Sequence, residues 1–414
     1  MKVKTITLAA LVAAIGVSSL QGLRSSAADA APSAASTGGQ VRVMVAAYYG
    51  RYFGGVAADP HWMAEHADFV EGEPATVLSF KRAGGRYGMF YTDPLRVIVA
   101  RKEPYSDLPE NAWLHNAQGA RIAAPLHGGR DEQNFPNPAA PETQAEFEST
   151  TQKAKATGAY DFIFFDDASV DIQGHVYPST DSPAELRSNE ELVDGMKALI
   201  AHSALPVVFN GLSNSDKALG RASLSTQLLS VAAGGLAEGC FTNVARFKVG
   251  RHWTSDAESL LATTSQGKWA ICAPGAQRGM ENQARLYAYA SWLLTYDKSH
   301  SVIRENVRTP SRVLIFPEQS FVPTNPLATA QHIWDLKQSS GAYVREFGQC
   351  YFQGRTLGAC ASVVNPNNET VPVPAGYSKQ VVLNGDGTWD GGTLEFQASV
   401  PSSLPGGAAA ILIR

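Results

Sequence analysis

Four cysteines in 414 residues are too few for a disulfide-built scaffold, and their positions, Cys240, Cys272, Cys350 and Cys360, match no zinc-site spacing. Charged residues make up only 17% of the chain, the formal net charge is −4, and no basic stripe runs along it. Nucleic-acid binding therefore has no electrostatic support. Past the N-terminal segment, no apolar run approaches the roughly 20 residues that a spanning helix needs, so no stable membrane insertion is expected. The GxSxG elbow of an ordinary serine hydrolase is missing. HExxH, P-loop and GxGxxG signatures are missing too, which leaves zinc-protease, nucleotide and dinucleotide chemistry without a motif.

What is present is a large apolar fraction, 44%, enough for one big core with an appendage or for two domains. Lys2 and Lys4 precede an uncharged, largely apolar run from Thr5 to Leu20, and Ala28-Asp29-Ala30 offers small residues around a cleavage point. Residues 1–30 thus read as an export signal, and 31–40, rich in Ala, Ser and Gly, as a disordered linker. The expected location is the periplasm or the extracellular space. An exported chain can oxidise its thiols. Cys350 and Cys360 sit on an expected hairpin. For Cys240 and Cys272, a disulfide and two buried thiols stay equally open.

From Val41 onward, short apolar runs alternate with stretches of helical period, the pattern of a parallel sheet with crossover helices. Eight strand-like runs are expected, at 41–47, 67–71, 86–91, 160–166, 206–210, 234–240, 268–273 and 301–304. Helices are expected around Trp62 and over 142–157, 189–201 and 281–295. That count predicts a (β/α)8 TIM barrel over 41–340. The Pro-rich stretch 95–137 reads as a long functional loop. Short alternating runs punctuated by Asn, Gly and Pro then predict an antiparallel β-sandwich domain over 341–414.

The run Tyr160–Phe165 ends in two adjacent carboxylates, Asp166 and Asp167, and the run from Gly234 ends in Glu238. In a barrel, the C-terminal strand ends form the active-site face. One carboxylate there to attack or to activate water, and one to protonate the leaving oxygen, are what glycosidic cleavage requires. Strand parity puts Phe162, Phe164 and Asp166 on one face and Asp167 on the other. The acid partner must stay protonated until a sugar binds, which burial or a neighbouring carboxylate achieves. Asp166 and Glu238 are therefore the expected catalytic pair. Tyr48, Tyr91, Asp93, Asp167, Asn210 and Arg304, all at or near strand ends, are expected to line a saccharide subsite. His115 and His127 in the long loop read as structural. The Asp166-Asp167 pair suggests a divalent-metal site, but no further ligand cluster completes it. No metal and no organic cofactor is expected.

The segment YDFIFFDD resembles the strand ending in two aspartates of a group of bacterial glycoside hydrolases. These are barrel enzymes related to the endo-α-1,4-polygalactosaminidase and α-galactosidase superfamily. HWMAEHADFVEG and AGGRYGMFYTDP resemble that group's second and third barrel units, and the segment from Tyr343 to Val371 resembles its entry into a C-terminal β domain. In that group the nucleophile ends the fourth strand and the acid/base ends the sixth. The likeness implies these roles for Asp166 and Glu238, and a secreted enzyme acting on α-linked polysaccharide. Two departures stand out: Ala159 replaces the group's Gly before the strand aspartate, and Glu238 runs on into Cys240. The rival expectation is a secreted carbohydrate-binding barrel without catalysis.

Overall fold

Eight parallel strands close on themselves in a computed structural model, which describes residues 39–46, 59–126, 131–212, 224–243, 246–275, 280–304, 316–384 and 393–414. The strands are β1 (Val43–Ala46), β2 (Phe69–Glu71), β3 (Tyr87–Thr92), β4 (Phe162–Phe165), β5 (Val207–Asn210), β6 (Gly234–Glu238), β7 (Trp269–Ala273) and β8 (Ser301–Arg304). Each pairs with its sequence neighbours, and β8 closes on β1. The crossovers carry α1 (Pro60–His66), α2 (Pro74–Arg82), α3 (Pro141–Ala156), α4 (Ile172–His175), α5 (Asn189–Ala201), α6 (Arg251–Thr264) and α7 (Glu281–Leu294).

Local chemistry explains several of these boundaries. Pro opens α1, α2 and α3, where its missing N–H costs nothing. Ser188 caps α5 by accepting from the Glu191 N–H. Strand β4, Phe-Ile-Phe-Phe, is buried on both faces, so it reads as a continuous apolar run. Phe162 and Phe164 fill the barrel interior with Met44, Phe69, Met89, Val208 and Ile271. Ile163 and Phe165 pack outward in the larger core under the helices.

A six-stranded antiparallel sheet follows, in the order β9 (Phe321–Pro326), β10 (Tyr343–Phe352), β11 (Arg355–Asn365), β16 (Ala408–Ile413), β13 (Lys379–Asn384), β14 (Thr393–Gln397). A short pair, β12 (Val371–Pro372) and β15 (Ser403–Leu404), completes the β-sandwich. One face of the sheet packs on α7: Ser362 Oγ donates to Ala290 O at 2.7 Å, and Arg345 Nη1 donates to Leu294 O at 2.9 Å. The other face joins Val344, Ala361, Val363 and Leu412 to Val371 and Leu404. The architecture is the expected barrel plus β-sandwich. The sheet also takes in β9, which lies before the expected start of the β domain. Among the described residues, no helix is long and apolar enough to cross a membrane.

The candidate active site

Side chains of one parity along each strand point into the barrel. At the strand ends this parity brings Glu71, Tyr91, Asp166, Asn210, Glu238 and Arg304 to the mouth. Asp166 sits one residue past β4 and Glu238 ends β6. Asn210 joins them: its single amide nitrogen donates to Asp166 Oδ1 at 2.7 Å and to Glu238 Oε2 at 3.0 Å. Two N–H bonds on one nitrogen suit two carboxylates, which only accept. The bonded oxygens can be no farther apart than 2.7 plus 3.0 Å. Tyr91 O–H donates to Asp166 Oδ2 at 2.6 Å, and the Asp167 N–H donates to Oδ1 at 2.9 Å. Oδ1 thus carries two of these bonds and Oδ2 one. Glu238 is exposed, so of the two means expected to keep the acid protonated, burial and a neighbouring carboxylate, burial is not the one at work.

Close backbone approach holds the β4 turn. Asp167 has φ 52°, a left-handed conformation uncommon outside glycine, and the Ala168 N–H donates to Asn210 O at 2.8 Å. Gly211 is needed beside it, because a Cβ there would sit 2.2 Å from Ala168 O. The β6 end is fastened as well. Gly239 N–H donates to Ala273 O at 2.9 Å, Phe241 N–H donates to Asp256 Oδ2 at 2.9 Å, and Cys240 is disulfide-bonded to Cys272 on β7. Cys350 is bonded to Cys360 across β10 and β11.

The two adjacent aspartates diverge. Asp167 turns from Asp166 and pairs with Arg96 Nη1 at 3.0 Å. Burial, followed by the charge of Asp166, pushes Asp167 up to about 6, against the pull of Arg96. Asp93 lies beside it and is held well above the usual carboxylate range, by burial and then by Asp167 and Asp166. Its Oδ1 is taken up by the N–H groups of Leu95 and Arg96 at 3.1 and 3.0 Å. Arg304 is also committed: it is buried, 3.7 Å from Glu71 Oε2, with its guanidinium over the Phe164 ring. Tyr48 and His127 lie outside the described residues. His115 is held between Glu110 and Glu185 within the long β3 loop. Among the described residues, no three His, Cys, Asp or Glu side chains are grouped to hold a metal ion.

Two participants escape the sequence reading. Glu71 is fully buried, and neither of its oxygens has a hydrogen-bond partner among the described residues. Burial pushes it up to about 7, with Arg304 opposing and Asp166 adding to the rise. Its signal was available, since Glu71 ends an apolar run and shares the parity of Phe69. Arg96 lies in the β3 loop, where no periodicity marks it. It pairs with Asp167 and donates to Gly174 O at 3.0 Å. Beside the carboxylate pair opens a cleft of about 380 Å³, whose described lining includes Asn210, Glu238, Asp167, Arg96, Gly174 and Tyr177.

No family model matches this sequence, and no curated protein is similar to it in sequence. Among solved structures, it resembles the glycoside hydrolase domain of PelA from Pseudomonas aeruginosa. That match has 15% identity over 65% of this chain and 96% of that one, with a TM-score of 0.42. The α-galactosidase TtGalA from Thermus thermophilus is similar at 13% identity, over 64% of this chain and 58% of that one, TM-score 0.41. The dextranase FjDex31A from Flavobacterium johnsoniae is similar at 11% identity, over 91% of this chain and 51% of that one, TM-score 0.45. With TM-scores below 0.5, these likenesses decide nothing about the site, whose chemistry rests on the geometry above.

Proposed function

We propose that this protein is a glycoside hydrolase that cleaves glycosidic bonds with Asp166 as nucleophile and Glu238 as acid/base. The observation that carries the reading is the shared nitrogen of Asn210, which joins two carboxylates from the ends of β4 and β6. The two oxygens that share this nitrogen lie closer than the roughly 6.5–9.5 Å between the carboxyl groups of an inverting enzyme, which favours a retaining one, whose groups stand about 5–5.5 Å apart. In the first step an Asp166 oxygen forms a bond to the anomeric carbon. The bond to the leaving oxygen breaks, and Glu238 gives that oxygen its proton. In the second step Glu238 takes a proton from water, the water oxygen bonds to the anomeric carbon, and the ester to Asp166 breaks. Oδ2 of Asp166 is the attacking atom, because it carries the fewer of the hydrogen bonds described. Tyr91 and Asn210 hold the carboxylate in place.

The resemblance of YDFIFFDD to the polygalactosaminidase and α-galactosidase group supports an α-linked oligosaccharide or polysaccharide as substrate. No cofactor is part of this chemistry. The two disulfides fit an oxidising compartment, so we place the enzyme outside the cytoplasm. Fractionation of producing cells tests that placement.

The mechanism is tested with α-linked oligosaccharides and with α-glycosyl fluorides, whose leaving group needs no proton. Asp166→Asn is expected to abolish both activities. Glu238→Gln is expected to abolish oligosaccharide cleavage while sparing the first-turnover burst of fluoride, with later turnovers slowed because the second step has lost its base. Unchanged hydrolysis in both variants, on a substrate the wild type cleaves, would sink the proposal.

A further inference from the structure

Among the described residues, the lining of the cleft beside the carboxylate pair is uneven. Glu238 and Asn210 line it from the ends of β6 and β5, and Asp167, Gly174 and Tyr177 line it from the segment after β4. Asp166 is not among its lining residues. Its volume, about 380 Å³, falls at the lower end of small-ligand sites, which run from roughly 300 to 1,000 Å³.

Tyr177 is the unusual member of that wall. The residue is 59% exposed, far more than most large apolar residues among those described. Yet the backbone that presents it is tied down. Gln133 Nε2 donates to Tyr177 O at 3.2 Å, the Ser179 N–H donates to Val176 O at 2.8 Å, and Arg96 Nη2 donates to Gly174 O at 3.0 Å. Gln133 and Arg96 both belong to the long loop after β3, so this loop acts as a buttress for the Tyr177 turn. A ring held at the rim of a cleft on a fixed backbone loses little entropy when it takes a partner. The partner chemistry follows from the lining. A pyranose offers a C–H face that packs on an aromatic ring, and hydroxyls that bond to carboxylate and amide groups.

The direction of the cleft follows from the division of labour between the two carboxylates. The acid/base contacts the leaving oxygen, whereas the nucleophile contacts the anomeric carbon. A cleft that reaches Glu238 and not Asp166 therefore lies on the leaving-group side. We infer that it is the leaving-group subsite, that Tyr177 is its stacking platform, and that the leaving group is itself a pyranose unit of a glycan chain. The inference rests on the proposed roles of Asp166 and Glu238.

Two substrates of the same sugar separate the subsite from the reaction. One is an α-linked tetrasaccharide, whose leaving group fills the cleft. The other is the α-glycosyl fluoride, whose leaving group is one atom and cannot reach Tyr177. Tyr177→Ala is expected to lower kcat/KM on the tetrasaccharide by about tenfold, equivalent to about 1.4 kcal/mol, and to leave fluoride release within about twofold. Tyr177→Phe keeps the ring and should stay near the wild type on both. Equal effects of Tyr177→Ala on the two substrates, or none on either, overturn the subsite while leaving the catalytic pair standing. If Asp166→Asn still releases fluoride, the catalytic reading falls first and takes the subsite with it. The same holds if the wild type cleaves neither substrate.

Discussion

Arg304 Nη1 stands 3.7 Å from Glu71 Oε2, with both side chains buried at the mouth of the barrel. The distance is too long for a hydrogen bond, so the pair has charge attraction without the directional contact that usually offsets desolvation. Burial, opposed by Arg304 and reinforced by Asp166, pushes Glu71 up to about 7. The folded chain therefore keeps a proton that the unfolded chain releases near 4.5. For a carboxylate raised in this way, the stabilising contribution is complete below the unfolded value and is lost as pH rises toward the folded one. Glu71→Gln has no such proton to release. Its stability relative to the wild type should improve between pH 4.5 and 7, by up to on the order of 3 kcal/mol, whatever its absolute level. Denaturant midpoints of both proteins across that window test this, and parallel profiles would refute it.

Asn210 gives a prediction about activity. Asn210→Ala removes the nitrogen bonded to both carboxylates, and should reduce kcat by about 10²-fold, the cost of misplacing a reacting group by about 1 Å. Asn210→Asp should lose as much at neutral pH, since it sets a third carboxylate between two others. Part of the loss should return as pH falls, because like charges raise the pKa of the new group and a protonated Asp donates a hydrogen bond. A pH–rate profile of both variants distinguishes lost donation from misfolding, which would give no recovery.

The barrel strands were legible because a strand buried on both faces reads as an unbroken apolar run, as Phe162–Phe165 does. Position at the strand ends pointed to Asp166, Tyr91, Asn210 and Glu238, and parity chose Asp166 over Asp167. Glu71 lay within reach of the same argument. Arg96 did not, since a residue in an irregular loop has no register. Strand β9 was hidden by Pro323 and Pro326, which argue against a strand; it is an edge strand, where prolines are tolerated. Helix α6 was hidden differently. Ser255, Asp256, Glu258, Ser259 and Thr263 are all buried on it, so its polar residues do not mark a solvent face. Asp256 is buried because it fastens the chain after Glu238, a long-range use that local periodicity does not record.

The two disulfides should contribute unequally. Cys240 and Cys272 are 32 residues apart and Cys350 and Cys360 are 10 apart, so the first bond removes more freedom from the unfolded chain. Loop-closure reasoning gives roughly 3.7 and 2.7 kcal/mol. The paired Cys→Ala variants should show that order in denaturant midpoints. Only loss of the Cys240–Cys272 bond should also lower activity, because it frees the segment directly after Glu238. Equal activity in both variants would separate that bond from the site.

Gly211→Ala tests whether close packing at β5 sets the β4 turn. The added Cβ would meet Ala168 O at 2.2 Å, a backbone atom that cannot swing aside as a flexible side chain would. Relief requires the Asp166–Ala168 turn to move, and that turn is tied to the same strand by the Ala168 N–H bond to Asn210 O. A shift of this size carries Asp166 away from the Asn210 amide. The variant should lose about 1–3 kcal/mol of stability, the usual cost of overpacking. It should also lose far more activity than Gly158→Ala, whose Cβ would meet no atom within 4 Å although its φ of 68° makes the change similarly unwelcome to the backbone. Thermal midpoints show whether both variants are destabilised. The ratio of their kcat values on one substrate then shows whether the loss at Gly211 goes beyond general destabilisation, and equal kcat values would mean that the packing of Gly211 does not set the position of Asp166.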